Sequence, residues 1–135
     1  MVAYNKFNCF VADVHNKVHN MGADTITVFL CAAANAPVAT NTILANLTPI
    51  AYTNLSARVV TISASSQTSG TYSAVATDLT LTASGTVATF RYIGLYNDTS
   101  TSDSLICWYD YGSDVTMTSG QTFLINFGAS LFQST

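Results

Sequence analysis

From Asp24 onward the apolar residues of this chain recur at every second position, and turn-forming clusters break the pattern about every 8–12 residues. Asp24 to Ala32 sets Ile26, Val28 and Leu30 against Thr25, Thr27 and Phe29, the two-residue period of a strand. Arg58 to Ser65, Thr71 to Thr82, Val87 to Tyr96, Leu105 to Tyr111, Asp114 to Thr118 and Thr122 to Phe127 continue it. The joints fall at Thr68-Ser69-Gly70, Ala83-Ser84-Gly85, Asn97 to Asp103, Tyr111-Gly112-Ser113 and Ser119-Gly120, all rich in residues that turn the backbone. Short strands at this spacing predict an antiparallel β-sandwich, jelly-roll-like or related, rather than an α/β fold. Segment 33–54 carries both prolines, Pro37 and Pro49, which bars those positions from a central strand. One short helical turn is expected there, at Thr42 to Leu47.

Before Gly22 the period is different. Phe7, Phe10, Val11, Val14, Val18 and Met21 follow helical spacing, with Lys6, Asp13, Asn16, Lys17 and Asn20 opposite them. This predicts an amphipathic helix over about 5–21, with Asn5 as N-cap, Gly22 as a left-handed C-cap and Asp13 paired to Lys17. The fold class is therefore mainly β: one N-terminal amphipathic α-helix, a sandwich over about 24–127 and a short C-terminal tail. A length of 135 residues suits a single domain spanning 1–135. The helix and segment 33–54 interrupt the sandwich, so they are the parts expected to be free to reach a neighbour.

Composition narrows the function. Only 8% of residues are charged, Glu is absent, and the polar surface must come from 20 Thr, 14 Ser and 10 Asn. With net charge −3 and a pI near 4.8, the chain lacks the clustered Lys and Arg that neutralise nucleic-acid phosphates. The longest apolar run, Val28 to Ala34, is too short to cross a bilayer, and the first residues do not form a secretory signal. No nucleic acid and no membrane are therefore expected as partners. Cys9, Cys31 and Cys107 are odd in number and without CxxC spacing, which suggests free, packed thiols and folding in a reducing cytoplasm. A mean hydropathy of +0.33 is high for a chain that stays alone, and interfaces deplete Lys and Glu. Permanent assembly with other protein is the reading this supports.

Catalytic constellations are weak. His15 and His19 are spaced i,i+4 but lack a third ligand and the HExxH glutamate, so a pair of partly exposed helix histidines is the plainer reading. No GxSxG is present. Asp98 with Asp103, and Asp110 with Asp114, sit around turns, where aspartates commonly bond their own backbone. A calcium site at Asp98 and Asp103 lacks EF-hand spacing. No enzyme activity, metal or cofactor is expected. The unusual feature is an aromatic belt: Phe90, Tyr92, Tyr96, Trp108, Tyr109 and Tyr111. Strand alternation puts Phe90, Tyr92, Gly94 and Tyr96 on one face, and separates Trp108 and Asp110 from Cys107, Tyr109 and Tyr111. Either cross-strand packing or a sugar-stacking platform at Tyr92, Tyr96, Trp108, Tyr109 and Tyr111 would use such residues, and spacing does not separate the two.

The motifs AYNKFNCFVADVHNKVHNMGADT, NAPVATNT, VTISASSQTSGTYS, FRYIGLYNDT and LICWYDYGSDVTMTSGQTFLINF carry a resemblance that spans Tyr4 to about Phe127. They resemble a family of tailed-bacteriophage virion structural proteins, of the capsid decoration or cement type. The resemblance implies a non-enzymatic protein, made in the host cytoplasm and placed on the outer capsid surface of the virion. Its partners would be the major capsid protein and copies of itself, with a homotrimer favoured over a dimer. Some members of the family are tail or fibre proteins, so a tail- or fibre-associated role, or a host-glycan-binding adhesion module, is the alternative. The C-terminal GASLFQST departs from the family pattern, and is expected either to pair at a subunit edge or to fray.

Overall fold

The computed structural model describes residues 4–134. Ten strands and one short helix follow in order: β1 (Tyr4–Lys6), α1 (Cys9–His15), β2 (Ile26–Cys31), β3 (Val59–Val60), β4 (Ile62–Thr68), β5 (Thr71–Ala76), β6 (Leu79–Thr82), β7 (Val87–Asn97), β8 (Ser104–Met117), β9 (Thr122–Ile125) and β10 (Phe132–Ser134). They form three antiparallel sheets: a five-stranded sheet ordered β1-β8-β7-β2-β3, a three-stranded sheet β10-β5-β4, and the pair β6-β9. The fold is mainly β and sandwich-like, with one helix near the N-terminus.

The large sheet is covered on both faces, which accounts for β2 being buried at all six residues. Ile26, Val28 and Leu30 face a core that also takes Leu95, Ile106, Cys107, Ala74 and Ala76 of β5, Leu81 of β6 and Ile125 of β9. The alternate residues Phe29 and Cys31 face a second cluster with Phe7, Tyr96 and Leu105, on which Leu44 and Leu47 pack. Segment 33–54 therefore covers the second face with Leu44 and Leu47, while Ile50 and Tyr52 pack against the main core. It is tied down by Ile50 N–H to Leu30 O, Leu105 N–H to Thr42 O and Leu44 N–H to Asp103 O, each 2.9–3.0 Å. The segment is thus anchored on the sheet beneath it, while 33–36 and Val38 keep an exposed outer side. Its predicted helical turn is present at Leu44–Asn46.

The helix is shorter than its periodicity suggested. It spans Cys9–His15, not about 5–21, and Asn8 precedes it. Asn5 lies in β1 opposite Trp108. Phe7 and Met21 reach the interior from outside the helix, while Val11 and Val14 are exposed at 48% and 43%. The left-handed residue that ends the segment is Lys17 (φ 63°), not Gly22.

Strand boundaries differ at three places, the first being Arg58 to Ser65, which is split between β3 of the large sheet and β4 of the three-stranded one. Thr71 to Thr82 is two strands in two sheets, and the switch is pinned by Asp78, whose Oδ1 accepts the Phe127 N–H at 3.0 Å. Gly112, read from sequence as a turn, lies inside the continuous strand β8. Phe90 pairs with Val115 and Tyr92 with Asp110, so β8 carries extra residues here and bulges outward. Gly112 absorbs the distortion at φ 90°, and its N–H donates to Asp110 Oδ1 at 2.8 Å. The C-terminal tail pairs within its own chain: Phe132, Gln133 and Ser134 add to β5 as β10.

Candidate functional site

The aromatic belt does not form one platform. β7 and β8 pair along most of their length, and their alternating side chains go to opposite faces of the large sheet. Tyr92, Tyr96 and Trp108 lie on the second-cluster face with Phe29. The Trp108 ring sits 4.6 Å from Phe7 at 39°. Tyr96 is only 6% exposed, and burial raises its phenol pKa. Opposite Trp108 on β7 is Gly94, where an added Cβ would fall 2.0 Å from Phe29 Cζ. A bare backbone at this point lets the Phe29 ring lie against the sheet.

Tyr109 and Tyr111 belong to the other face. Tyr109 meets Tyr4 edge-on at 5.9 Å, and Tyr111, 46% exposed, meets Phe123 at 5.3 Å. Together with Leu124 and Phe127 these side chains line an open groove of about 720 Å³. Phe90, expected beside Tyr92, instead points into the main core against Phe123, because the pairing shifts between Phe90 and Tyr92. Sequence reasoning missed Tyr4, Phe123 and Leu124 as groove residues. The alternation of β9 puts Leu124 outward, but nothing local marks it as a neighbour of the belt. On the strand between, Arg91 clasps Asp110 with Nε to Oδ1 at 2.8 Å and Nη2 to Oδ2 at 3.1 Å. That clasp, with the Gly112 N–H, lowers the Asp110 pKa.

A second groove, of about 920 Å³, lies between α1 and the three-stranded sheet, lined by Phe10, Val14, Met21, Tyr72 and Phe132 among others. At its inner end His19 is buried and beyond the helix, not a partly exposed helix histidine. Its ring stacks on Phe10 at 5.3 Å. Nδ1 lies 3.1 Å from Asn97 Nδ2, a donor group that also faces Asp24 Oδ2 and Val18 O, so a proton on Nδ1 would point at a donor. Nε2 is without a hydrogen bond and 3.9 Å from Asp13 Oδ2. Burial lowers the His19 pKa, while Asp13 and Asp24 oppose that shift.

Asn97 is the hub of this end of the sheet. Its Nδ2 lies 2.6 Å from Asp24 Oδ2, 3.2 Å from Val18 O and 3.1 Å from His19 Nδ1, so its two hydrogens are shared among three acceptors, and its Oδ1 accepts from the N–H groups of Thr99 and Ser100. Asp98 Oδ2 is 3.5 Å from Thr27 Oγ1, and Asp103 holds a left-handed turn at φ 53°. Among the described residues no group of three or more His, Cys or Asp side chains could hold a metal ion. The thiols are all free. Burial pushes Cys9 and Cys31 up to about 11 and Cys107 to about 12, so all three are protonated at neutral pH. No helix among the described residues is long and apolar enough to cross a membrane.

Comparison with known proteins finds no matching family model, no matching curated protein and no matching solved structure.

Proposed function

We propose that this chain is a non-enzymatic structural protein of a bacteriophage particle, a decoration or cement protein that binds the outer face of the capsid and stiffens it. The observation that carries the reading is the surface. Four Lys and Arg and seven Asp are spread over 135 residues, and the rest of the polar exterior is hydroxyl and amide. Such a surface can be covered by another protein without desolvating many charges, which is the main cost of burying Lys or Glu. Exposed Val11, Val14, Val38, Val59, Tyr111 and Leu124 add apolar area to that surface. The phage-like motifs of the sequence point the same way. In this reading the partners are the major capsid protein and further copies of the chain, in a homotrimer or a dimer. Repetition over a lattice then multiplies weak contacts into avidity.

The tail, fibre or glycan-binding alternative would draw on the groove beside Tyr109 and Tyr111, where aromatic edges are open to solvent. Copy number separates the two. Quantitative densitometry of purified particles should give a protein present in proportion to the capsid lattice. A handful of copies per particle would overturn the decoration reading and favour the tail.

A further inference from the structure

We propose that β4 is a self-association edge, which adds antiparallel to the β4 of a second copy of this chain. The proposal supplies the self-contact that the decoration reading calls for and rests on that reading only in expecting an oligomer.

Strand β4 stands at the end of the sheet β10-β5-β4, with a ladder partner on one side only. At seven residues it is the longest edge strand among the described residues. The edges β1, β3 and β10 have three, two and three residues, and β6 and β9 have four each. From Ser63 to Gly70 every residue is exposed, whereas β5 behind it is buried or half-buried, so β4 forms the solvent edge of a sheet held on the core by β5. The tip of the β4–β5 hairpin is a two-residue turn, Ser69 (φ 51°) and Gly70 (φ 83°), flanked by the pair Thr68 and Thr71. In such a hairpin the flanking pair is hydrogen-bonded, and bonded positions alternate along the strand. Thr68 and Ser66 therefore spend their backbone groups on β5. Ser65 and Gln67 direct theirs outward.

Proteins usually blunt such an edge with a Lys, a Pro or an inward charge. None is present between Arg58 and Asp78. The one irregularity, between Ile62 and Ala64, lies at the base of the strand and leaves the outer part regular. Self-pairing about Ser65 would set Ala64 opposite Ser66, Ser63 opposite Gln67 and Ile62 opposite Thr68. These pairs are all small or uncharged, so no repulsion opposes a two-fold contact, which places identical residues against each other. A foreign strand is not required for complementarity, because the edge already complements itself.

The contact spans about 23 Å of strand, at about 3.3 Å per residue, and buries less than a standard interface. It is therefore weak in dilute solution and strengthened when a lattice holds copies close. Sedimentation equilibrium of the full chain up to about 1 mM should show reversible dimers. The double variant Ala64→Lys, Ser66→Lys places like charges opposite each other and should weaken the dimer by about tenfold or more. The variant Ala64→Asp, Ser66→Asp should do the same alone, and an equimolar mixture of the two should associate again as a heterodimer. A wild-type chain that stays monomeric at that concentration overturns the proposal. So does a lysine variant that associates as before, or a mixture that fails to recover. Binding of the wild-type chain to stripped phage heads is measured separately: its absence would sink the decoration reading and leave the β4 result standing.

Discussion

Strands β2 and β4 are of nearly equal length, and they have opposite fates. All six residues of β2 are buried, whereas six of the seven in β4 are exposed. Both belong to antiparallel sheets and neither contains a charged residue. The difference lies in what covers them. β2 has bulky residues on both sides, and the fold supplies two covers: β5, β6 and β9 on one face, segment 33–54 on the other. The Ser and Ala side chains of β4 offer too little apolar area to hold a cover within one chain. Absence of charge alone therefore does not decide burial in these two strands; the apolar bulk of their side chains does.

Substitutions that open the β2 side of this contrast should cost most. Phe29→Ala removes a fully buried ring lying over Gly94, and should lower unfolding free energy by about 3–5 kcal/mol in denaturant titration. Gly94→Ala forces that same ring aside and should cost about 1–3 kcal/mol by overpacking. Asn97→Ala removes the acceptor of the Thr99 and Ser100 N–H groups and one of the two donors to Asp24 at the sheet end, for roughly 1–3 kcal/mol. Ser66→Ala on β4 should leave stability within about 0.5 kcal/mol of wild type. A Ser66→Ala effect as large as that of Phe29→Ala would erase the distinction between the two strands.

His19 adds a smaller effect with a definite sign. Its folded pKa lies below the usual 6.5, because burial disfavours the imidazolium. The unfolded chain therefore takes up the proton first as pH falls. His19 should cost nothing above about pH 6.5 and should destabilise progressively below it, toward the lower folded value. Thermal melts across that window should show the loss, and His19→Gln should flatten it. Protonation of Nδ1 would also put a donor against Asn97 Nδ2, so the loss should come with loosening of the loop after α1.

The strands were legible where side chains alternate cleanly. Ile26, Val28 and Leu30 marked β2, and Ser69-Gly70 marked the hairpin through its positive φ requirement. The helix was overextended because Phe7 and Met21 fall at helical spacing by sequence and reach the core by other routes. The belt was misassembled for a physical reason: a bulge shifts parity, so Phe90 and Tyr92 part company although two residues separate them. A strict two-residue period has no means of showing that. Nor does it show that Tyr4 and Phe123, distant in sequence, meet Tyr109 and Tyr111.

The most direct test of a surface made to be covered is the salt dependence of its binding. Capsids stripped of this protein and mixed with the purified chain should bind it saturably, at a ratio fixed by the lattice. Few charges are involved, so raising the ionic strength from about 0.1 M to about 1 M, which screens charge contacts, should change the affinity little. No binding, or binding that disappears as salt is added, would contradict the account.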